Sequence, residues 1–297
     1  MKRPFFTIIT VTYNSGDKLT ETIDSIVTQS FDDYRILVKD GLSTDGSIEK
    51  LKGKYSVAGK DSKGSSKITL IESCDNGIYH AMNIAVSYLS EITDDIKTGD
   101  TPSYVFFLNC GDTFRDRDVL KNVHDAIVSR QESSGTTLPS IFYGDIFEVT
   151  TGQRVPSNPK IDDYACYRNL PSHQACFYDE RLMRRNLFDL KYKVRADYEQ
   201  FLRCIYKEKA ETVYIPMIIA NYEGGGFSDV NRKISEEERK VIIGMYLPKS
   251  KIRKYDFLRI VTLSKVRTFL ASNKTTAGAY NAVKNAAYKV RNAKKEK

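Results

Sequence analysis

TIITVTYNSGDKLTETIDSIVTQSFDDYRILVKDGLSTDGS, Thr7 to Ser47, sits in a stretch with two short apolar runs separated by a segment of different rhythm. Phe5 to Thr12 and Tyr34 to Lys39 are strand-length and rich in β-branched and aromatic residues. Between them the apolar residues fall at Leu19, Ile23, Ile26 and Val27, the spacing of one helix face. A strand, a helix and a second strand in this order predict parallel strands covered by helices.

The same alternation continues outward. Strand-like runs recur at Ile68 to Glu72, Tyr104 to Leu108 and Ile141 to Val149. Helical spacing recurs at Ile78, Met82, Ala85, Val86 and Leu89, then at Val119, Val123 and Ile127. The fold class that follows is α/β, a mixed, mostly parallel sheet between helices. Lys52 to Lys67 and Thr93 to Ser103 are polar, without periodicity, and read as surface insertions. Beyond Val149 come a loop with Pro156 and Pro159, a helix over Ala196 to Lys207, a strand over Thr212 to Ala220, and GGGFS, Gly224 to Ser228. That glycine run serves equally as a segment closing over a ligand or as a plain turn.

A chain of 297 residues, 41% of them hydrophobic, can bury a full core in one large domain with or without an appendage. No apolar run reaches the length of a membrane span, and MKRPFFTIITVTYN passes from basic residues into a strand, so neither export nor spanning is expected. The five cysteines form no CxxC pair and the three histidines, His80, His124 and His173, form no HExxH motif. Disulfide frameworks and structural zinc are therefore not expected, and a reducing cytoplasm suits the chain.

Net charge is +8, but residues 249–297 hold 14 Lys or Arg against 2 acids, which leaves about −4 for the rest. KIRKYDFLRIVTLSKVRTFL, Lys251 to Leu270, gathers Phe257, Ile260, Val261, Leu263, Ser264, Val266, Phe269 and Leu270 near one helical side flanked by basic residues. An anionic membrane surface fits that pattern, as does a helix packed on the domain. No zinc-finger, KH or RNP signature accompanies the basic tail, so nucleic acid is not the expected partner.

Ligands of open parallel sheets bind beyond the carboxyl ends of the strands. Here those ends read VTYN, KDGLSTDGS, ESCDNG and LNCGD. Neither GxGxxG nor a Walker A loop is present, which removes the main support for dinucleotide or P-loop chemistry. What remains is a crevice of Asn, Asp, Ser and Tyr suited to a nucleoside.

The ordered set TIITVTYNSGDKLTETIDSIVTQSFDDYRILVKDGLSTDGS, DNGIYHAMNIAV, FLNCGDTF, YGD, PSHQACFY, ADYEQFLR and GGGFS resembles the family 2 inverting glycosyltransferases of GT-A fold, in their bacterial polysaccharide-assembly branch. The resemblance spans roughly residues 5–228. It implies a GT-A domain over 1–230, with a donor half at 1–115 and an acceptor half at 116–230, followed by a basic helical extension at 231–297. It also implies donor contacts from Val11, Tyr13, Asn14, Asp40, Ser43, Asp75, Gly77, Asn83, Asn109 and His173. Asp40 would accept a hydrogen bond from uracil N3–H; alternatively Asp40 and Asp45 form Asx turns around Gly41 and Gly46. Gly77 stands at a helix start suited to a diphosphate. Many relatives carry an acid where this chain has His80, and a Glu where it has Ser73.

In place of the family's Asp-x-Asp stands NCGD, which makes Asp112 the candidate ligand for Mn²⁺ or Mg²⁺, or else a cap for the helix starting near Asp116. Asp197 matches the position of the general base, and a helix cap is its competing role. The implied activity is transfer of a sugar from a nucleotide diphosphate donor, a UDP-sugar, to a lipid-linked or polysaccharide acceptor with inversion. Its expected place is cytoplasmic, peripheral at the inner face of the plasma membrane. A catalytically silent nucleotide-sugar binder and, less favoured, a basic nucleic-acid-binding protein are the rival readings.

Overall fold

The computed structural model describes residues 3–60, 66–92, 102–134, 138–224, 231–261 and 278. The chain divides into two compact units, Met1–Ile242 and Ile243–Lys297.

The first unit is built on one sheet. Its strands are β1 (Phe6–Thr12), β2 (Tyr34–Asp40), β3 (Val57–Gly59), β4 (Ile68–Glu72), β5 (Tyr104–Phe107), β6 (Thr113–Phe114), β7 (Ser140–Glu148), β8 (Gln153–Val155), β9 (Cys176–Asp179) and β10 (Glu211–Tyr222). The helices are α1 (Lys18–Val27), α2 (Ser47–Lys54), α3 (Ile78–Ile92), α4 (Val119–Ser134), α5 (Asp163–Arg168), α6 (Glu180–Arg185), α7 (Ala196–Tyr206), α8 (Arg232–Tyr246) and α9 (Lys249–Val261). Strand order is β3-β4-β2-β1-β5-β9-β7-β10-β6, with β8 beside β7. Strands β3, β4, β2, β1 and β5 run parallel, as do β7 and β10, whereas β9 is antiparallel to both its neighbours.

Alternation explains why the sheet is covered on both sides. Phe6, Ile8, Ile36, Val38 and Phe106 share a core with Leu19, Ile23 and Ile26 of α1. The intervening Ile9, Leu37, Ile71 and Phe107 are just as buried. α3, which buries Ala81, Met82, Ala85 and Leu89, packs against β1 and β2. Each such side chain removed from water contributes about 1.5–3 kcal/mol, which is what holds short strands with few local contacts in place.

Three elements depart from the sequence reading. Lys52 to Lys67, read as a surface insertion, contains the end of α2 and the edge strand β3, which pairs with β4. β9 begins within PSHQACFY, ends one residue beyond it, and is not visible as a strand from sequence, because its four residues are defined by partners on β5 and β7 rather than by a periodic pattern. The two-residue β6 pairs with β10 through Thr113↔Asn221 and Phe114↔Ala220, and so carries Glu223 to Asp112. The unit boundary at Ile242 places the first turns of α8 with the sheet. In the second unit α9 exposes Phe257, Ile260 and Val261. Gly225 to Ser228, most of Thr93 to Ser103, and the tail from 262 other than Gly278 lie outside the described residues.

Candidate active site

The carboxyl ends of β1, β2 and β4 are tied into one shelf by side chains bonding to backbone. Asn14, in the left-handed region at φ 47°, donates its N–H to Ser43 Oγ at 2.8 Å, and its Oδ1 accepts from Thr44 N–H at 2.9 Å. Asp45 Oδ2 accepts from Gly16 N–H at 2.7 Å, and its Oδ1 from Ser47 Oγ at 2.6 Å. The Tyr13 ring is 66% exposed and lies against Gly41; a Cβ there would meet Tyr13 Cδ2 at 3.1 Å and Asp75 Oδ2 at 3.2 Å. Glycine at 41 therefore keeps ring, backbone and acid together.

Asp40 is buried, and both oxygens bond to Ser43, Oδ2 from N–H at 2.9 Å and Oδ1 from Oγ at 2.5 Å. The Asx turn anticipated around Gly46 is present, Asp45 Oδ1 accepting from Ser47 N–H at 3.1 Å, whereas Asp40 reaches three residues on and closes a wider loop around Gly41. Asp75 is the more accessible acid: Oδ1 accepts from Gly77 N–H at 3.1 Å and Oδ2 from Lys39 Nζ at 2.6 Å. The Lys39 side chain is fully enclosed, and its ammonium also donates to the carbonyls of Ser73 (2.8 Å) and Asp40 (2.9 Å). Three donors meet three acceptors, which is how a charge survives inside a sheet.

Asp112 follows Gly111, whose φ of 97° suits glycine, and it is buried at the mouth of β5. Its Oδ1 accepts from Glu223 N–H at 3.1 Å, so it does not cap α4, which starts seven residues later. Burial pushes its carboxyl up to about 6, against the opposing pull of the Glu223 N–H, the nearby His173 and Gln174. Lys18 Nζ, on α1, pairs with Glu223 Oε1 at 2.5 Å and adds a cation beside the same turn.

Around Asp197 the bonds form a chain across three elements. Asn109 Nδ2 lies 3.0 Å from His173 Nε2, which makes that nitrogen an acceptor and leaves Nδ1–H facing Asp197 Oδ2 at 3.4 Å. Asp197 Oδ1 accepts from Tyr79 OH at 3.0 Å and from Tyr198 N–H at 2.8 Å. Burial raises the Asp197 carboxyl, but the facing His173 N–H, with the two donors on Oδ1, outweighs it and holds the group below the ordinary range. Asp197 is the second residue of α7, whose N-cap position is Arg195 with no side-chain cap. It is ionised and carries a lone pair beyond those its partners use.

The structure thus brings together Tyr13, Asn14, Asp40, Ser43, Asp75 and Gly77 in one group, and Asn109, Asp112, His173 and Asp197 in another. It does not bring Val11 or Asn83 to either surface. Val11 is buried in β1, where its carbonyl accepts from Cys110 N–H at 3.4 Å. The Asn83 amide bonds both ways with the backbone of Phe188, at 2.8 and 2.9 Å, and anchors that loop to α3. Lys39, Tyr79 and Glu223 were not singled out from sequence. Lys39 had a usable signal, a lysine inside the apolar run YRILVKD.

Among the described residues no group of three or more His, Cys, Asp and Glu side chains converges as a metal cage. Asp112 is nonetheless a buried carboxylate at the strand end, and Asn109 Oδ1, also buried, has no hydrogen-bond partner. An oxygen-donor site with one carboxylate fits a Mn²⁺ or Mg²⁺ that takes its remaining ligands from phosphates and water.

The chain is similar to known glycosyltransferases in sequence and in fold. A glycosyltransferase of PGL/p-HBAD biosynthesis from Mycobacterium bovis (strain BCG / Pasteur 1173P2) is 30% identical over 236 residues, 77% of this chain and 81% of that one. S. aureus TarS superposes with TM-score 0.56 at 16% identity, and this chain spans 91% of its own length and 44% of TarS. The mannosyltransferase PcManGT from Pyrobaculum calidifontis, solved with GDP-Man and Mn²⁺, gives 0.58 at 15% identity over 96% of this chain and 81% of that one. These structural neighbours carry the GT-A fold, and the family described as Glycosyl transferase family 2 matches residues 7–189. The chain belongs to glycosyl transferase family 2.

Proposed function

We propose that this glycosyltransferase moves a sugar from a nucleotide diphosphate donor, a UDP-sugar, to a hydroxyl of a lipid-linked or polysaccharide acceptor, with inversion at the anomeric carbon. The observation that carries the reading is the Asp197 carboxylate, held ionised by His173, Tyr79 and Tyr198 and linked through Asn109 to the strand end that bears Asp112. TarS has been solved with UDP-GlcNAc, which supports the choice of a uridine donor.

In this reading Tyr13, Asn14, Ser43 and Asp75 bind the nucleoside, with Asp40 shaping the turn beneath it. Asp112 would hold Mn²⁺ or Mg²⁺, a Lewis acid that neutralises charge developing on the departing diphosphate. Asp197 takes the acceptor hydroxyl proton. A carboxylate of low basicity suffices, because that proton becomes strongly acidic only as the oxygen bonds to the anomeric carbon. His173 Nδ1–H keeps Asp197 Oδ2 oriented, and Asn109 fixes the tautomer.

Calorimetric titration of UDP, GDP and dTDP with and without Mn²⁺ tests the donor side. UDP should bind best, and Asp112→Ala should abolish the gain from Mn²⁺. Asp197→Asn should keep UDP binding and lose transfer by about 10²–10⁴-fold, the usual range for a general base; retained transfer would sink the assignment.

The tail is proposed to rest on an anionic membrane surface at the cytoplasmic face. Support comes from α9, where Phe257, Ile260 and Val261 are exposed at helical spacing on a segment that also carries Lys249, Arg253 and Lys254. No helix among the described residues is long and apolar enough to cross a membrane. Flotation of the full chain with anionic but not neutral liposomes is the expected result; equal flotation with both, or none, refutes it.

A further inference from the structure

We infer that Glu238, on α8, is a positioning residue for the base, and that it acts with Tyr79; the inference rests on the reading of Asp197 above. Glu238 lies beyond the 7–189 segment that matches the family. Its carboxylate receives three consecutive backbone N–H groups: Oε1 from Lys193 at 2.7 Å, and Oε2 from Val194 at 3.0 Å and Arg195 at 2.8 Å. These are the residues that lead into α7, where Asp197 is second.

The chemistry of the helix start explains the need. Arg195 occupies the N-cap position and offers no side-chain acceptor to the first turn. A helix N-terminus without a cap frays, and a carboxylate opposes that through charge-assisted bonds and the helix dipole. The first turn has its own acids, Asp197 and Glu199, and Glu238, 43 residues beyond Arg195, adds a third anion that binds the N–H groups of the N-cap residue and the two residues before it, fixing the chain as it enters the helix. One further bond from α8 holds the same segment, Arg195 Nε donating to Ser235 Oγ at 2.8 Å, while Arg239 of α8 donates to the carbonyl of Tyr167 on α5, over whose ring it lies.

From this fixed segment the restraint passes to the base. The Val194 carbonyl accepts from Tyr79 OH at 2.9 Å, and the same hydroxyl stands 3.0 Å from Asp197 Oδ1. Tyr79 sits in the first turn of α3, directly after the Asp75 to Gly77 turn of the nucleoside shelf. The base is therefore registered on one side against α8 and on the other against the donor shelf. Glu238 touches no reacting atom; it sets where Asp197 stands.

The test uses the full chain with Glu238→Gln, Glu238→Asp, Tyr79→Phe and Asp197→Asn. Its primary readout is the ¹⁵N NMR signal of His173 Nδ1, which reports the bond to Asp197 in a chain with three histidines. Glu238→Gln should shift that signal toward its value in Asp197→Asn, with UDP affinity unchanged within about twofold and folding intact by thermal denaturation. Glu238→Asp, which keeps the charge, should shift it less. UDP release from UDP-N-acetylglucosamine and UDP-glucose should show kcat lowered about tenfold or more with donor KM unchanged, the signature of a displaced group rather than a lost binding contact. An unmoved His173 signal in Glu238→Gln overturns the inference, as does a fall in UDP affinity parallel to that in kcat. If Asp197→Asn itself retains transfer, the base reading fails. If Asp197→Asn is silent and Glu238→Gln behaves as wild type, only the positioning role fails.

Discussion

Replacing Lys39 with methionine isolates the buried ammonium, because Met retains most of the apolar stem while removing the charge. The wild-type side chain has no exposure, and its three bonds go to Asp75 Oδ2, the Ser73 carbonyl and the Asp40 carbonyl. Breaking a buried ion pair by deleting one partner costs about 3–5 kcal/mol when the other charge stays enclosed. Here the loss is smaller for two reasons. The Asp75 side chain is 16% exposed and regains water, and the Asp40 carbonyl keeps the Ser73 N–H at 3.1 Å. The Ser73 carbonyl is left poorer, and the desolvation cost of the ammonium disappears. The net expectation is a loss of about 2–3 kcal/mol, or about 5–10 °C in Tm for a unit of this size.

Because Asp75 also sets Gly77 and lies against Gly41 beside Tyr13, the same change should weaken UDP binding more than tenfold, that is by about 1.4 kcal/mol or more. Urea unfolding and UDP titration measure the two effects separately. Lys39→Arg should not rescue, since a planar fork does not fit a fully enclosed site built for three converging acceptors. Stability within about 0.5 kcal/mol of wild type, with UDP affinity retained, would refute the view that this ammonium holds the shelf together.

Two further outcomes follow from the site and its neighbour strands. The Asp112 carboxyl, raised to about 6 by burial, contributes folding stability that is present below the ordinary carboxyl range and is lost as pH rises through that value. Protons compete with the cation there, so Mn²⁺-dependent binding of a UDP-sugar should weaken about tenfold from pH 7 to pH 5 and be flat in Asp112→Asn. A nucleotide sugar is preferred to UDP, whose terminal phosphate titrates in the same region. Gly144→Ala should destabilise by about 2–4 kcal/mol through overpacking. The added Cβ would meet the Met217 carbonyl and Ile219 Cγ1 at 2.7 Å, and chemical denaturation would show the loss.

The polar strand ends were legible one segment at a time. Turn residues and periodicity mark the strand ends VTYN, KDGLSTDGS, ESCDNG and LNCGD, whereas the roles proposed for Tyr13, Asn14, Ser43, Asp75, Asn109, Asp112 and Asp197 rest on the resemblance to the family. The Asx turn at Asp45 was readable because its partner is two residues away, and Asp40 likewise bonds locally, three residues on. Asn83 was not, since its place in the motif says nothing of Phe188, with which its amide closes two bonds.

The amino-acid sequence by itself determined the alternation of strands and helices, the parallel half of the sheet and the order of polar strand ends, because these depend on local spacing and burial of apolar faces. Tertiary structure alone decided three things: that β9 joins the two halves, that β6 brings Glu223 to Asp112, and that Lys39, Tyr79 and Glu238 hold the acids in place. The physical reason is common to all three. A hydrogen bond between residues far apart in the chain has no local period, and its energy exists only once the hydrophobic core has brought both partners out of water together.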